Sequence, residues 1–190
     1  MSALAQAAKM TLADFLAWEN EQPDRHEFVD GEIFAMVGAS VAHGILASNL
    51  HVALRQSLKV PGCRVFQEGY RVLAREKCFY PDVVIACGPF RQNDLQLDRP
   101  VLLAEVISPS GEQYDRLMKW DHYRQGLPTL QAYVLVAQDR VRVEVYVRER
   151  DGWHYSEHTA LSDTIQLTSP PCRFSLAELY EGTVHARNEA

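Results

Sequence analysis

Apolar residues recur along the chain at two spacings, one typical of helices and the other of strands. Over Thr11–Glu19 they lie three to four positions apart, which predicts a short helix. A second helix is predicted from Ser40, which suits the N-cap position, to about Leu58. One stripe of this helix carries leucines at every fourth position, and His43 falls at the N-terminal end of that stripe.

Short apolar runs predict a series of β-strands. The pair Asp30-Gly31 lies between two such runs, which is the usual signal for a two-residue hairpin turn. Two of the runs are almost continuously apolar, which indicates burial on both faces, whereas another alternates valines with polar residues like a half-exposed antiparallel strand. The predicted strands are Val65–Leu73, Phe79–Ala86, Val101–Ile107, Gln131–Val136, Val141–Val147 and Trp153–Glu157.

The order of these elements predicts the fold class. A helix over Ser110–Gln125, which opens with a sequence resembling a capping box, lies between the apolar strands Val101–Ile107 and Gln131–Val136. A strand, a helix and a second strand in this order favour a crossover with the two strands parallel. A short closing helix is predicted over Ser175–Tyr180. We therefore predict an α/β fold with a mixed sheet and an additional antiparallel β meander.

The length and composition are those of a globular domain. The chain has 190 residues, of which 47% are hydrophobic and 23% charged, so it can bury a sizeable core. No internal repeat, no linker rich in Pro, Gly or Ser and no run of like charge interrupts the sequence. We therefore expect residues 1–190 to form a single domain with its core between about 11 and 182.

Targeting signals and cysteines favour a cytoplasmic protein. The longest apolar runs are far too short to span a bilayer, and the N-terminus lacks a basic region followed by an apolar stretch. Cys63, Cys78, Cys87 and Cys172 show neither C-x-x-C spacing nor a zinc-binding pattern. We therefore expect four reduced core cysteines in a cytoplasmic protein that does not enter a membrane.

Two carboxylates stand in apolar strands, where an uncompensated charge is costly. Asp82 follows Pro81 at the start of one apolar run, and Glu105 interrupts Val101–Ile107. Such a carboxylate must be paired, protonated or bound to a cation. If the two strands are neighbours, both side chains can converge on one divalent ion, and oxygen ligands suit Mg²⁺ or Mn²⁺. A structural ion pair, or a carboxylate that caps a strand end, is the alternative interpretation.

The sequence around both carboxylates resembles one nuclease family. The similarity extends from about Thr11 to Gly182, and its specific part runs from Pro81 to Tyr123. The segments that carry the resemblance are Phe79-Tyr80-Pro81-Asp82-Val83-Val84, Glu105-Val106-Ile107-Ser108-Pro109-Ser110 and Asp115-Arg116-x-x-Lys119-x-x-x-Tyr123-x-x-Gly126. With these segments the chain is similar to the Uma-two-type family of restriction endonucleases, within the PD-(D/E)XK nuclease superfamily.

The resemblance implies a restriction-endonuclease-like mixed β-sheet flanked by helices, and metal-dependent hydrolysis of phosphodiester bonds. Asp82 and Glu105 match the acids that hold the metal, Mg²⁺ or Mn²⁺. The superfamily pattern has a lysine two residues after the glutamate, whereas this chain has Ile107 there. Members of the superfamily can supply the lysine from the following helix, and Lys119 is the candidate for that role.

Three further residues are candidates for supporting roles, each with an ordinary alternative. His43 lies near the expected site if the first turn of its helix faces the sheet end, although a histidine on an apolar stripe is more often a packed core group. Glu32 is a candidate third acid, or else an exposed acid beside the hairpin turn. Asp115 and Lys119 are four residues apart on one helix and form an ordinary surface ion pair if that face meets water. Trp120 and Tyr123 are interpreted as packing residues.

The functional hypothesis is a metal-dependent endonuclease that acts on DNA, and the alternative is a catalytically inactive module of nuclease fold that binds nucleic acid or protein. The net charge of −6 argues against a general nucleic-acid coat protein. If DNA is the substrate, basic side chains must gather near the acids, and Arg116, Lys119 and Arg124 are predicted to form that rim. A homodimer is expected if both strands of DNA are cut.

Overall fold

Four helices and twelve strands make up the fold of this computed structural model, which describes residues 10–36, 38–108 and 114–186, without the side chains at 114 and 115. The helices are α1 (Leu12–Glu19), α2 (Val41–Ser57), α3 (Trp120–Gly126) and α4 (Leu176–Leu179), with a π-helical turn over Tyr114–Lys119 and a 3₁₀ turn over Val184–Ala186. The strands are β1 (His26–Val29), β2 (Glu32–Ala35), β3 (Cys63–Gln67), β4 (Val72–Leu73), β5 (Cys78–Phe79), β6 (Val83–Cys87), β7 (Pro100–Ile107), β8 (Ala132–Ala137), β9 (Val143–Glu149), β10 (Gly152–His158), β11 (Thr164–Thr168) and β12 (Pro171–Ser175). Among the described helices, none is long and apolar enough to cross a bilayer.

A six-stranded mixed sheet forms the centre of the molecule, in the order β10-β9-β8-β7-β6-β3. Strands β7 and β8 are parallel, and every other neighbouring pair in this sheet is antiparallel. The predicted crossover is confirmed, since α3 lies between β7 and β8 in the chain. The antiparallel β8-β9-β10 meander is confirmed as well. The protein therefore has the predicted α/β fold, a mixed sheet flanked by helices.

Each face of this sheet is covered by its own apolar layer. On one face, α2 packs Leu46, Leu50 and Leu54 against the sheet, and all three side chains are fully buried. Burial of each leucine stabilises the fold by about 1.5–3 kcal/mol. On the other face, Tyr123 of α3 packs against Tyr133 of β8. The sheet is therefore held between α2 and α3.

A second sheet, in the order β2-β1-β5-β4, lies at the start of the domain. Its hairpin turns at Asp30 and Gly31, whose φ angles of 53° and 89° are both left-handed, as a two-residue turn of this type requires. The D-G signal therefore predicts this hairpin correctly. Strand β1 lies inside the sheet, so its side chains are buried, whereas β2 is an exposed edge strand.

Two predicted strands are each divided in the structure. The chain leaves β3 at Glu68 and Gly69, whose φ angles are positive, before β4 begins. Strands β5 and β6 are separated at Pro81, which has no N–H to donate to a ladder. Apolar periodicity alone does not detect either break. The β11–β12 hairpin was not predicted, because its alternation of buried and exposed residues is short.

The helix predicted over Ser110–Gln125 agrees with the structure in its second half. Its described part is the π-helical turn followed by α3, which ends at Gly126. The predicted capping sequence at Ser110 lies outside the described residues, and so does the side chain of Asp115. The other N-cap predicted for a long helix is confirmed, since Ser40 accepts the N–H of His43.

The prediction of four reduced cysteines is wrong for two of them. Cys63 of β3 and Cys87 of β6 are directly opposed in the antiparallel register, with their Cα atoms 4.0 Å apart, and they form a disulfide. Sequence spacing could not show this pairing, because it depends on the register of two strands. Cys78 and Cys172 are free and buried, as predicted for core cysteines.

Thiol titration tests this assignment. Burial raises the pKa of the Cys78 and Cys172 thiols to about 12, so neither forms a reactive thiolate at pH 8. We expect Ellman's reagent to detect no thiol in the native protein at pH 8, two in denaturant without reductant and four after reduction. Four thiols in unreduced, denatured protein would contradict the disulfide.

Candidate active site

A cavity of about 350 Å³ opens at the sheet edge where β6 begins and β7 ends. Residues from both sheets, from α2 and from the π-helical turn meet there. Its polar lining contains three carboxylates, one histidine and one lysine, and its outer wall is apolar. The lining residues are Glu27, Phe34, Ala35, Met36, His43, Tyr80, Asp82, Glu105, Val106 and Lys119.

The strand register brings the two predicted acids together. Val83 of β6 pairs with Ala104 of β7. Continued by one position, this antiparallel register sets Asp82 opposite Glu105, and both residues line the cavity. Both side chains are largely withdrawn from water, with 12% of the Asp82 and 5% of the Glu105 side chain exposed. Like charges directly opposed on neighbouring strands repel, so this pair needs compensation.

The carboxylate of Asp82 is held by a backbone group and by α2. Its Oδ2 accepts the N–H of Val106 at 2.7 Å, and its Oδ1 lies 3.1 Å from Nε2 of His43. His43 occupies this position because the N-cap Ser40 fixes the first turn of α2 at the sheet edge. The structure therefore places His43 against an acid of the cavity, rather than only among apolar neighbours.

Lys119 reaches the cavity from the π-helical turn and is almost fully buried. Its Nζ lies 3.4 Å from Oε1 of Glu105 and 2.9 Å from Oε1 of Glu27. This placement satisfies the geometric condition for a lysine supplied by the following helix. The alternative, a surface ion pair with Asp115, does not suit a side chain that is 9% exposed and paired with two buried acids.

Glu27 is the acid that the sequence analysis missed. It lies in β1, is 5% exposed, and accepts the backbone N–H of Tyr80 at 3.4 Å as well as the Lys119 ion pair. Its signal was available, because Glu27 stands beside the apolar residues of a short strand much as Glu105 does. Glu32, the acid proposed instead, lies in the exposed strand β2 and does not line the cavity.

Tyr123 has a polar contact in addition to its packing role. Its hydroxyl donates to Oε1 of Glu105 at 2.9 Å. Burial, reinforced by the charge of Glu105, raises the pKa of this phenol well above 10, so it stays protonated and remains a donor. Trp120 is a packing residue as predicted, stacked on Tyr133 with ring centroids 5.6 Å apart.

The prediction that Arg116, Lys119 and Arg124 form a basic rim is wrong for the two arginines. Arg116 binds both carboxylate oxygens of Glu144, a buried acid of β9 that requires a cation, and Arg124 pairs with Asp121 on the same helix. Neither arginine lines the cavity. Its mouth instead carries Phe34 and Met36, which are 42% and 43% exposed.

The charge of the cavity fits a divalent cation. Three carboxylates, those of Glu27, Asp82 and Glu105, line the cavity together with the ammonium of Lys119 and the imidazole of His43, so the acids outnumber the lysine. Asp82 and Glu105 could hold a metal through hard oxygen ligands, which Mg²⁺ and Mn²⁺ prefer. Within residues 10–36, 38–108 and 114–186, no three His, Cys, Asp or Glu side chains are arranged to hold an ion by themselves. Water or substrate would have to complete the coordination.

The fold matches that of a protein of known structure. The structure is similar to the crystal structure of a putative nuclease belonging to DUF820 from Anabaena variabilis, with a TM-score of 0.73 over 90% of this chain and 97% of that chain. The two sequences are 18% identical, so this likeness concerns the fold.

The sequence comparisons identify the family. The model of the Uma2 (Uma-two-type) family, described as "Putative restriction endonuclease", matches residues 12–177, and the chain belongs to this family. Two proteins of Synechocystis sp. are similar over most of their length. Uncharacterized protein slr1290 is 32% identical over 92% of this chain and 93% of its own, and uncharacterized protein sll1609 is 35% identical over 80% and 88%.

Replacement of Tyr123 tests the buried network of the cavity. Tyr123→Phe removes the donor to Glu105 and leaves a buried carboxylate oxygen less satisfied, so we expect the free energy of unfolding to fall by about 1–3 kcal/mol. Tyr146→Phe is the matched control, since its hydroxyl forms no hydrogen bond within the described part of the chain, and should change stability by less than about 0.5 kcal/mol. Urea unfolding measures both; equal effects would contradict the proposed contact.

Proposed function

We propose that the protein is a divalent-metal-dependent endonuclease that hydrolyses phosphodiester bonds in DNA. One observation carries the proposal: a buried lysine ammonium lies beside Glu105 in the same cavity that Asp82 lines. A cation held among buried acids is costly to maintain for stability alone. The same cation has a functional use if the cavity must also receive a phosphate group. Membership of the Uma2 family supports the same class of reaction.

In this proposal Asp82 and Glu105 hold Mg²⁺ or Mn²⁺. When bound, such an ion polarises the scissile phosphate and lowers the pKa of the attacking water. The protein keeps both acids oriented. His43 and the Val106 N–H bind the two oxygens of Asp82, and Tyr123 donates to Glu105. These contacts fix the carboxylates before the substrate arrives, which limits the reorganisation required during the reaction.

Lys119 takes the place of the lysine that the family pattern would have at Ile107. The Ile107 side chain is 2% exposed and packs in the apolar layer beneath α3, so it offers no charge to the cavity. The Lys119 ammonium is directed by Glu27 on one side and Glu105 on the other. From there it would stabilise negative charge that develops on the phosphate oxygens, or orient the water.

The alternative is an inactive module of nuclease fold that binds nucleic acid or protein. It is favoured by the partners of Asp82, since both of its carboxylate oxygens already contact protein groups. A homodimer, which cutting of both DNA strands would favour, stays a prediction. Metal binding and cleavage distinguish the enzyme from the inactive module.

Metal binding is expected to stabilise the fold. If the cavity binds Mn²⁺, then Mn²⁺ at ten times its Kd adds about 1.4 kcal/mol, which raises Tm by roughly 3–5 °C for a chain of this size. We expect Asp82→Asn to lose this shift and Glu32→Gln, an exposed acid outside the cavity, to retain it. Thermal melts with and without Mn²⁺ measure the effect. An unchanged wild-type midpoint would count against the metal site.

Cleavage of plasmid DNA in Mg²⁺ or Mn²⁺ tests the catalytic roles. Asp82→Asn and Glu105→Gln should reduce cleavage to background, and Lys119→Met should lower kcat by about 10²–10³, as expected for loss of one charge-stabilising group. Glu32→Gln should cut like the wild type, and circular dichroism should show that each variant is folded. Wild-type protein that binds Mn²⁺ without cutting would favour the inactive module.

A further inference from the structure

The acidic residues are unevenly distributed along this chain. The sequence contains 25 of them, yet residues 33–67 contain none. The same stretch carries three fully charged basic residues, Arg55, Lys59 and Arg64, as well as two histidines. It includes the whole of α2 and β3, which pack against each other at the edge of the central sheet. A protein of net charge −6 therefore has one non-acidic, basic region.

A groove lies on this region, separate from the candidate active-site cavity. It has a volume of about 450 Å³ and is lined by His51, Val52, Arg55 and Gln56 of α2 and by Gln67 of β3. Gln67 pairs with Val83, the residue after Asp82, so the groove begins one strand away from the candidate active site. We call this surface the α2–β3 groove. Lys59 lines an adjoining depression together with Gln56.

The basic side chains of the groove have no acidic partner in the described part of the chain. Arg55 and Lys59 are exposed and form no ion pair there, whereas Arg116, Lys119 and Arg124 each bind a carboxylate. The Nδ1 atom of His51 is buried without a hydrogen-bond partner. Of these five cations, the two without a carboxylate partner therefore lie at the C-terminal end of α2 and just after it, and not at the cavity mouth where the sequence predicted a basic rim.

We propose that the α2–β3 groove binds the phosphate backbone of DNA on one side of the scissile phosphate. This inference rests on the proposed function, because the cavity must receive that phosphate. Arg55 lies twelve residues after His43, which is roughly 18 Å along the helix. At roughly 3.4 Å per nucleotide step, it reaches the backbone about five steps from the cut. The free side chains of Arg55 and Lys59 supply the attraction, and the glutamines supply neutral donors.

A purely structural role for these residues makes a different prediction. Basic residues in the last turn of a helix interact favourably with its dipole, so Arg55 could serve only to stabilise α2. Such a role would change the melting temperature but not the salt dependence of DNA binding. Each phosphate contact releases counterions from DNA. The slope of the logarithm of the binding constant against the logarithm of the salt concentration therefore changes by about −0.9 for each contact.

The experiment compares two double variants of the full chain. Arg55→Gln/Lys59→Gln removes the charges of the groove. Arg91→Gln/Arg150→Gln is the matched control, since Arg91 lies in the loop after β6, Arg150 in the β9–β10 turn, and both are exposed and outside the groove. Binding to a 30-base-pair duplex is measured by fluorescence anisotropy in EDTA over a range of NaCl concentrations, and cleavage is measured separately in Mn²⁺.

We expect the groove variant to bind at least about ten-fold more weakly, with a salt slope smaller by about 1.8, while the control keeps the wild-type slope. In Mn²⁺ the KM of the groove variant should rise and its kcat should stay unchanged.

If the wild type cleaves DNA and both variants have equal salt slopes and equal KM values, the groove proposal is overturned and the nuclease proposal is left intact. A reduced slope without any cleavage by the wild type would support the groove and refute the nuclease. Wild-type protein that binds no DNA would overturn the groove.

Discussion

The clustering of three carboxylates at one sheet edge, two of them buried and one partly buried, is the constraint on which this structure depends. Glu27 comes from β1, Glu105 from β7 and Asp82 from the residue before β6, so three separate strands must meet for the cluster to exist. Lys119, in the π-helical turn, forms ion pairs with Glu27 and Glu105 and so links them. Loss of one partner of a buried ion pair costs about 3–5 kcal/mol, because an uncompensated charge remains inside. The packing of the two sheets against each other is therefore tied to the charge of the cavity.

The turn that carries Lys119 is anchored at a second buried acid. Arg116, three residues earlier in the same π-helical turn, binds the carboxylate of Glu144 in β9. Arg142 contacts the same carboxylate at 3.3 Å, so Glu144 is compensated from two sides. One π-helical turn thus places two cations on three buried acids, Glu27, Glu105 and Glu144, which lie in three different strands. This explains why Arg116 contributes nothing to the mouth of the cavity, although it is close to Lys119 in sequence.

The sequence predicted those features that depend on local pattern. Periodicity and turn residues indicated the helices, the hairpin and the parallel crossover, and two acids in apolar strands indicated the cavity. The contacts of Glu27 and Tyr123, and the disulfide, depend on register and on packing between elements far apart in the chain, which no single segment encodes. The incorrect prediction of a basic rim at the cavity mouth has the same origin. Whether an arginine is free for an external anion depends on which buried acid the fold brings beside it.

The two ends of α2 present opposite electrostatic conditions to a nucleic acid. At its N-terminus His43 meets a cavity in which the carboxylates outnumber the lysine, so a phosphate group that entered alone would be repelled. Towards its C-terminus the exposed Arg55 and Lys59 attract phosphate without any further ion. In the proposed enzyme, attachment of the backbone along α2 thus needs no metal, whereas entry of the scissile phosphate does. Such an enzyme would hold a strand on the protein before the cation that neutralises the acids binds, and hydrolysis would begin only afterwards.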